Sequence, residues 1–180
     1  MTADNKTKSL VYGALCIALS FALSYVKLFS MPMGGSVTLC SMLPLMVYSY
    51  RFGLPKGLLA GLAYGLLQLL PKPEIVHWAQ LLLDYPLAFT AIALAGLTAC
   101  RGDIAKGAGW RLPLGVLLGG AARAICHIVS GAIFFGMYAP EGTGAWLYST
   151  LYNGGYLAVD TLVCMVVAAI PPVQKALLRV

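Results

Sequence analysis

The chain is poor in charge. Of its 180 residues, 12 are Lys or Arg and 6 are Asp or Glu, so charged residues make up 10%, against about 25% in ordinary soluble domains. Hydrophobic residues reach 60% and the mean hydropathy is +0.84. These values exclude a soluble globular domain, and also a disordered chain, because so apolar a polymer does not stay solvated. The net charge of +6 is scattered singly between apolar blocks and forms no basic patch, which excludes a nucleic-acid surface. Cys16, Cys40, Cys100, Cys126 and Cys164 lie far apart, with no CxxC or Cys/His spacing. Neither a metal site nor another cofactor is expected, and the thiols are expected to be free and reduced. A GxxxxGK[ST] phosphate loop is also missing, so any coupling to ATP has to come from another subunit. What remains is an integral membrane protein.

At about 20 residues per span, the length allows roughly six helices and no soluble domain. Apolar runs broken by Gly, Pro and charge predict spans over Ser9–Phe29, Val37–Tyr50, Leu54–Leu70, Ile75–Leu97, Leu112–Gly136 and Trp146–Ile170. The first run is too long for a cleavable signal peptide and is read as a span. The expected fold is therefore all-α, one six-helix transmembrane domain over residues 1–180. With the N-terminus inside, the inner segments hold Lys6, Lys8, Arg51, Lys56, Arg101, Lys106, Arg111, Lys175 and Arg179, and the outer ones only Lys27 and Lys72. That imbalance places both termini in the cytoplasm. The Gly57, Gly61 and Gly65 series favours close helix packing inside the chain.

An ionisable residue within a span costs several kcal/mol unless it is paired or lines a cavity, which makes each one a functional candidate. Helical periodicity puts His77, Gln80 and Asp84 on one stripe of the fourth span. Arg123, His127, Ser130 and Phe134 share a stripe of the fifth, and Asn153, Tyr156 and Asp160 a stripe of the sixth. Counted at 1.5 Å per residue from the outer ends, Arg123 and Asp160 both fall at roughly 20 Å, a depth that predicts a buried structural ion pair. Asp84, His127 and Asn153 fall nearer the outside, at roughly 10–14 Å, with Tyr148 at the outer surface. A carboxylate, an imidazole, an amide and a phenol, ringed by Tyr85, Phe134, Phe135, Tyr138 and Trp146, suit a flat heteroaromatic cation with hydrogen-bonding edges. Two other classes match parts of this pattern. Ser130, His127 and Asp84 have the composition of a catalytic triad, although a Ser and a His one turn apart on one helix align poorly for proton transfer. A self-sufficient channel or proton-coupled carrier also fits a short polar bundle.

The stretches LLLDYPLAF, RAICHIVSGAIFFGMYAPEG and WLYSTLYNGGY, with the opening GALCIALSFALS, resemble the thiamine-specific S components of energy-coupling factor (ECF) transporters. The likeness spans nearly the whole chain in order. It implies a non-enzymatic, six-helix subunit in a prokaryotic cell membrane that binds thiamine from outside. It further implies delivery through a transmembrane T subunit and two cytoplasmic ATPases. By the resemblance, thiamine contacts fall on Asp84, His127, Tyr148 and Asn153, with Tyr85 and Phe135 as aromatic neighbours. The small residues Ala14, Ala18 and Ala22 fall on the helix stripe that docks the T subunit. The family usually carries glutamate where Asp84 stands, tryptophan where Phe135 stands, and an aromatic residue in the first outer loop, which here reads SMPMGGS. An S component for a different vitamin is the nearest alternative.

Overall fold

Backbone amides and carbonyls in hydrocarbon must bond within their own segment, so long apolar runs become helices. The structure, a computed structural model, describes residues 3–71, 73–100, 102–103 and 108–179. Lys72, Arg101 and Lys106, which enter the charge imbalance above, lie outside the described residues. The chain runs through α1 (Ala3–Ser24), β1 (Lys27–Ser30), β2 (Ser36–Thr38), α2 (Leu43–Phe52) and α3 (Leu54–Leu67). It continues as α4 (Trp78–Thr98), α5 (Arg111–Phe134), α6 (Ala145–Ala169) and a short α7 (Pro171–Arg179). Among the described residues four helices are long and apolar enough to cross a membrane: Lys6–Ser24 of α1, and α4, α5 and α6. Leu10, Leu15, Leu59, Leu117, Ile125, Leu151 and Leu162 are exposed on their outer faces, a distribution suited to lipid rather than water. The short α2 lies at the centre, with Leu43 through Tyr50 all buried.

Two expectations for the first third of the chain are corrected. The first helix ends at Ser24 instead of reaching Phe29, and Lys27–Ser30 is a strand rather than a helical end. The second run is not helical from Val37: Ser36–Thr38 is the partner strand, with Phe29 opposite Val37 and Ser30 opposite Ser36. The reason is local. Pro32 has no amide hydrogen to donate, and Gly34 takes φ +89°, a left-handed conformation that favours glycine. Hydropathy measures the length of an apolar run and is blind to the turn that folds it back. The molecule is therefore mostly helical with one β-hairpin, not all-α.

Pro86 sits inside α4, where its ring excludes an amide hydrogen bond and crowds the preceding turn. The helix accommodates it as a wide π turn over Leu83–Leu87, and tightens to a 3-10 helix over Ile92–Thr98. A second π turn, Thr150–Gly154, interrupts α6. Such turns rotate side chains away from regular helical phase, and here they carry Asp84, Tyr85, Tyr152 and Asn153. Opposite α4, Gly61 and Gly65 of α3 face the Phe89 and Tyr85 carbonyls so closely that an added Cβ would lie 2.5 and 2.6 Å from those oxygens. This glycine stripe is thus consumed by packing within the chain.

Candidate binding site

Where the hairpin meets α3, α4, α5 and α6, the bundle leaves a cavity of about 560 Å³. Its wall includes Asp84 and Tyr85 from α4, Arg123, His127 and Gly131 from α5, and Tyr148, Tyr152, Asn153, Tyr156 and Asp160 from α6. Phe135, just past the end of α5, and Glu74, in the segment before α4, also line it.

Asp84 is the hub. Its Oδ1 lies 3.0 Å from His127 Nδ1. Its Oδ2 accepts from Gln80 Nε2 at 2.7 Å and from Ser130 Oγ at 2.9 Å. The Asp84 and His127 side chains keep only 14% and 12% of their surface exposed, so a carboxylate with three donors is a preorganised negative charge rather than a solvated one. The other ring nitrogen of His127, Nε2, is buried without a hydrogen-bond partner among the described residues. A buried polar atom left open in this way is costly, and a polar ligand edge in the cavity would satisfy it. Gln80 does further work: its Oε1 accepts from Val76 N at 3.2 Å, and its Nε2 also donates to Glu74 O at 3.0 Å. One side chain thus ties the segment before α4 to the carboxylate.

The remaining walls are aromatic and amide. Tyr148, Tyr152 and Tyr156 form a ladder, with centroids 6.1 Å apart at 28° and then 5.9 Å apart at 73°. Tyr152 Oη donates to Pro32 O and accepts from Gly35 N at 3.4 Å, which fastens the hairpin over the cavity. Asn153 Nδ2 donates to Ser149 Oγ at 3.1 Å, and its amide oxygen has no hydrogen bond with a described residue. Tyr85 Oη accepts from Glu74 N at 2.9 Å.

Arg123 and Asp160 approach to 3.7 Å, with 13% and 1% of their side chains exposed. The carboxylate is held mainly by the hairpin: Asp160 Oδ1 accepts from Thr38 N at 2.8 Å and Thr38 Oγ1 at 3.0 Å. Arg123 lies over the Phe89 ring, 4.6 Å from its centroid. Both residues border the same cavity as Asp84, so the two polar layers read from the helical depths belong to one space.

Other parts of the sequence reading are corrected. His77 precedes α4 as its N-cap, accepting from Ala79 N at 3.1 Å, and its ring stacks on Phe134 at 5.1 Å. Neither ring lines the cavity, because the cap turns His77 out of helical phase. Trp146 and Tyr138 are exposed and stand off the cavity as well. Residues the stripes did not single out are Thr38, Tyr64, Gln68 and Glu74, which arrive from the hairpin, α3, its C-cap and the segment before α4. The one sequence signal for the hairpin was the Pro-Met-Gly-Gly turn.

Ala14, Ala18 and Ala22 are exposed on α1. Ala14 and Ala18, with Phe21, border a shallow apolar groove completed by Ala63, Leu66 and Leu70. No group of three His, Cys, Asp or Glu that would hold a metal occurs among the described residues.

An apolar bundle around a cavity that combines aromatic faces, a held carboxylate and an imidazole nitrogen without a described partner has the composition that suits a small polar aromatic molecule. The sequence pattern of the thiamine transporter protein family matches residues 10–179. The thiamine transporter ThiT of Bacillus subtilis is 39% identical over 145 residues, covering 77% of this chain and 75% of that protein. ThiT of Lacticaseibacillus paracasei is 34% identical over 140 residues, covering 72% and 69%. The solved structure of ThiT from Listeria monocytogenes superposes with a TM-score of 0.84 at 30% identity, covering 97% of this chain and 98% of that one. The chain belongs to the thiamine transporter protein family. That family is one of membrane transport proteins, not of enzymes.

Proposed function

We propose that this protein is the thiamine-binding S component of an ECF-type transporter, taking the vitamin from outside into the cavity between α4, α5 and α6. The observation that carries the reading is the Asp84 network, a fixed negative charge beside aromatic faces, in a chain of the thiamine transporter family. Thiamine has a permanently charged thiazolium ring joined to an aminopyrimidine. Asp84 supplies the counter-charge, and Tyr85 and Phe135 supply faces for stacking and cation–π contact. Asn153 and Tyr148 bond the pyrimidine edge, and the open His127 Nε2 completes the set of polar contacts. Arg123 and Asp160 hold the hairpin and the bundle together beneath the ligand.

In this reading α2 and α3 complete six membrane-crossing segments, both termini face the cytoplasm, and the protein resides in the prokaryotic cell membrane. The chain has no phosphate loop, so energy comes from partners, a transmembrane T subunit and two cytoplasmic ATPases. The exposed Ala14, Ala18 and Ala22 stripe is flat enough for close approach of a T-subunit helix.

The test is a calorimetric titration of the purified, detergent-solubilised protein with thiamine, with riboflavin and biotin as controls. Calorimetry is the suitable readout because Trp78, Trp110 and Trp146 are all exposed and none lines the cavity. Saturable, thiamine-selective binding is expected; heat with a control vitamin alone would reassign the ligand. Vitamin uptake into liposomes holding this protein alone would replace the ECF mechanism with that of a self-sufficient carrier.

A further inference from the structure

We propose that Glu74 is a second ligand-facing carboxylate, and that it sets the cavity's preference for a cation over a neutral molecule of the same shape. This inference rests on the thiamine reading of the same cavity. Three carboxylates line the space, Glu74, Asp84 and Asp160, together with two permanent cations, Lys27 and Arg123. Arg123 and Asp160 are within 3.7 Å of each other and cancel. Counting His127 as neutral, Asp84 is offset by Lys27 in the overall charge of the cavity. The described lining carries a net negative charge, and so neutralises a monocation, only because Glu74 is present.

Geometry separates the roles of the two carboxylates. Both oxygens of Asp84 are engaged by donors from Gln80, Ser130 and His127. The Glu74 carboxylate has no hydrogen bond or ion pair with a described residue, so none of the described donors of the cavity occupies it. Its backbone is nonetheless fixed. Glu74 N donates to Tyr85 Oη at 2.9 Å, and Glu74 O accepts from Gln80 Nε2 at 3.0 Å. On its other side the side chain meets the hairpin turn, where a Cβ added to Gly34 would lie 3.3 Å from Glu74 Cγ. An anchored backbone, with a carboxylate that no described residue engages, at the seam between the hairpin and the segment before α4, is placed to meet a ligand at the mouth. Because Glu74 is exposed, its attraction is partly screened by water and salt.

The experiment compares Glu74→Gln with the unaltered protein by calorimetry, using two ligands: thiamine and its neutral analogue with thiophene in place of thiazolium. Glu74→Gln is expected to weaken thiamine binding about fivefold, the upper range for a screened charge pair, and to leave the thiophene analogue unchanged. Unchanged binding of the neutral analogue also shows that the variant is folded and its site intact. Added salt is expected to lower the affinity of the unaltered protein for thiamine more than that of Glu74→Gln. Thiamine affinity unchanged by the substitution would overturn the proposal and leave the thiamine reading standing. An equal loss for both ligands would also overturn it, by making Glu74 a prop for the loop. Failure of the unaltered protein to bind thiamine at all would overturn both.

Discussion

Asp84 and Asp160 are both carboxylates within membrane-crossing helices, and they are kept in different ways. Asp160 is almost wholly buried, and two of its contacts come from the backbone and hydroxyl of Thr38, so its charge is used to fasten the hairpin to α6. Among the described residues Asp84 is held by side chains alone, two of them donors from α5 and one from its own helix, and it lines the cavity. The first arrangement fixes the chain's path; the second fixes a charge at the cavity wall. What separates the two carboxylates is where their partners sit, the hairpin for Asp160 and the neighbouring helix faces for Asp84, more than depth.

Substitutions that break this contrast have effects that can be ranked. Asp160→Asn leaves the Arg123 guanidinium without its counter-charge and is expected to lower stability by about 3–5 kcal/mol. Thermal unfolding of purified protein measures this, and combining it with Arg123→Leu should restore part of the loss. No restoration would show that the hairpin bond from Thr38, not the ion pair, carries the effect. Asp84→Asn is expected to cost about 2–4 kcal/mol of thiamine binding with a much smaller shift in unfolding temperature, reversing the pattern of Asp160. A third aspartate, buried like Asp160, sharpens the comparison. Asp103, in the segment between α4 and α5, accepts from Tyr50 Oη at 2.5 Å, Cys100 N at 2.8 Å and Arg111 at 2.8 Å. Burial pushes its pKa up, but the bonds from Tyr50, Cys100 and Arg111 outweigh that and hold it below the usual carboxylate value. A carboxyl whose folded pKa lies below its unfolded value stabilises the fold above about pH 4 and loses that contribution as pH falls through the folded value. Tyr50→Phe is therefore expected to lower the unfolding temperature slightly at neutral pH and to lessen its fall in acid, with thiamine affinity unchanged.

The later helices were legible because hydropathy and helical period report what lipid imposes. α5 and α6 begin and end within about two residues of the predicted spans. The stripes also grouped Gln80 with Asp84 and Arg123 with His127, because side chains three and four residues apart share a helix face whatever the tertiary fold. Four features were hidden. The hairpin replaced helix at Lys27–Ser30 because a Pro-Met-Gly-Gly turn outweighs an apolar run in deciding where the chain reverses. The π turns at Asp84 and Asn153 shift the phase within a helix, and their cause on α4, Pro86, marks a kink without giving its geometry. His77 belonged by period to the Asp84 stripe, yet its cap position lies before helical phase begins. Glu74 was missed for a related reason: it is on no span, and only the folding of the segment before α4 against Gln80 and Tyr85 brings it to the cavity.

The most direct measurement is an experimental structure of the protein with thiamine bound. The vitamin is expected in the cavity beneath the hairpin, with its thiazolium ring against the Asp84 network and its pyrimidine edge on Asn153 and Tyr148. Thiamine bound elsewhere on the bundle, or in this cavity with the thiazolium turned away from both Asp84 and Glu74, would contradict that expectation.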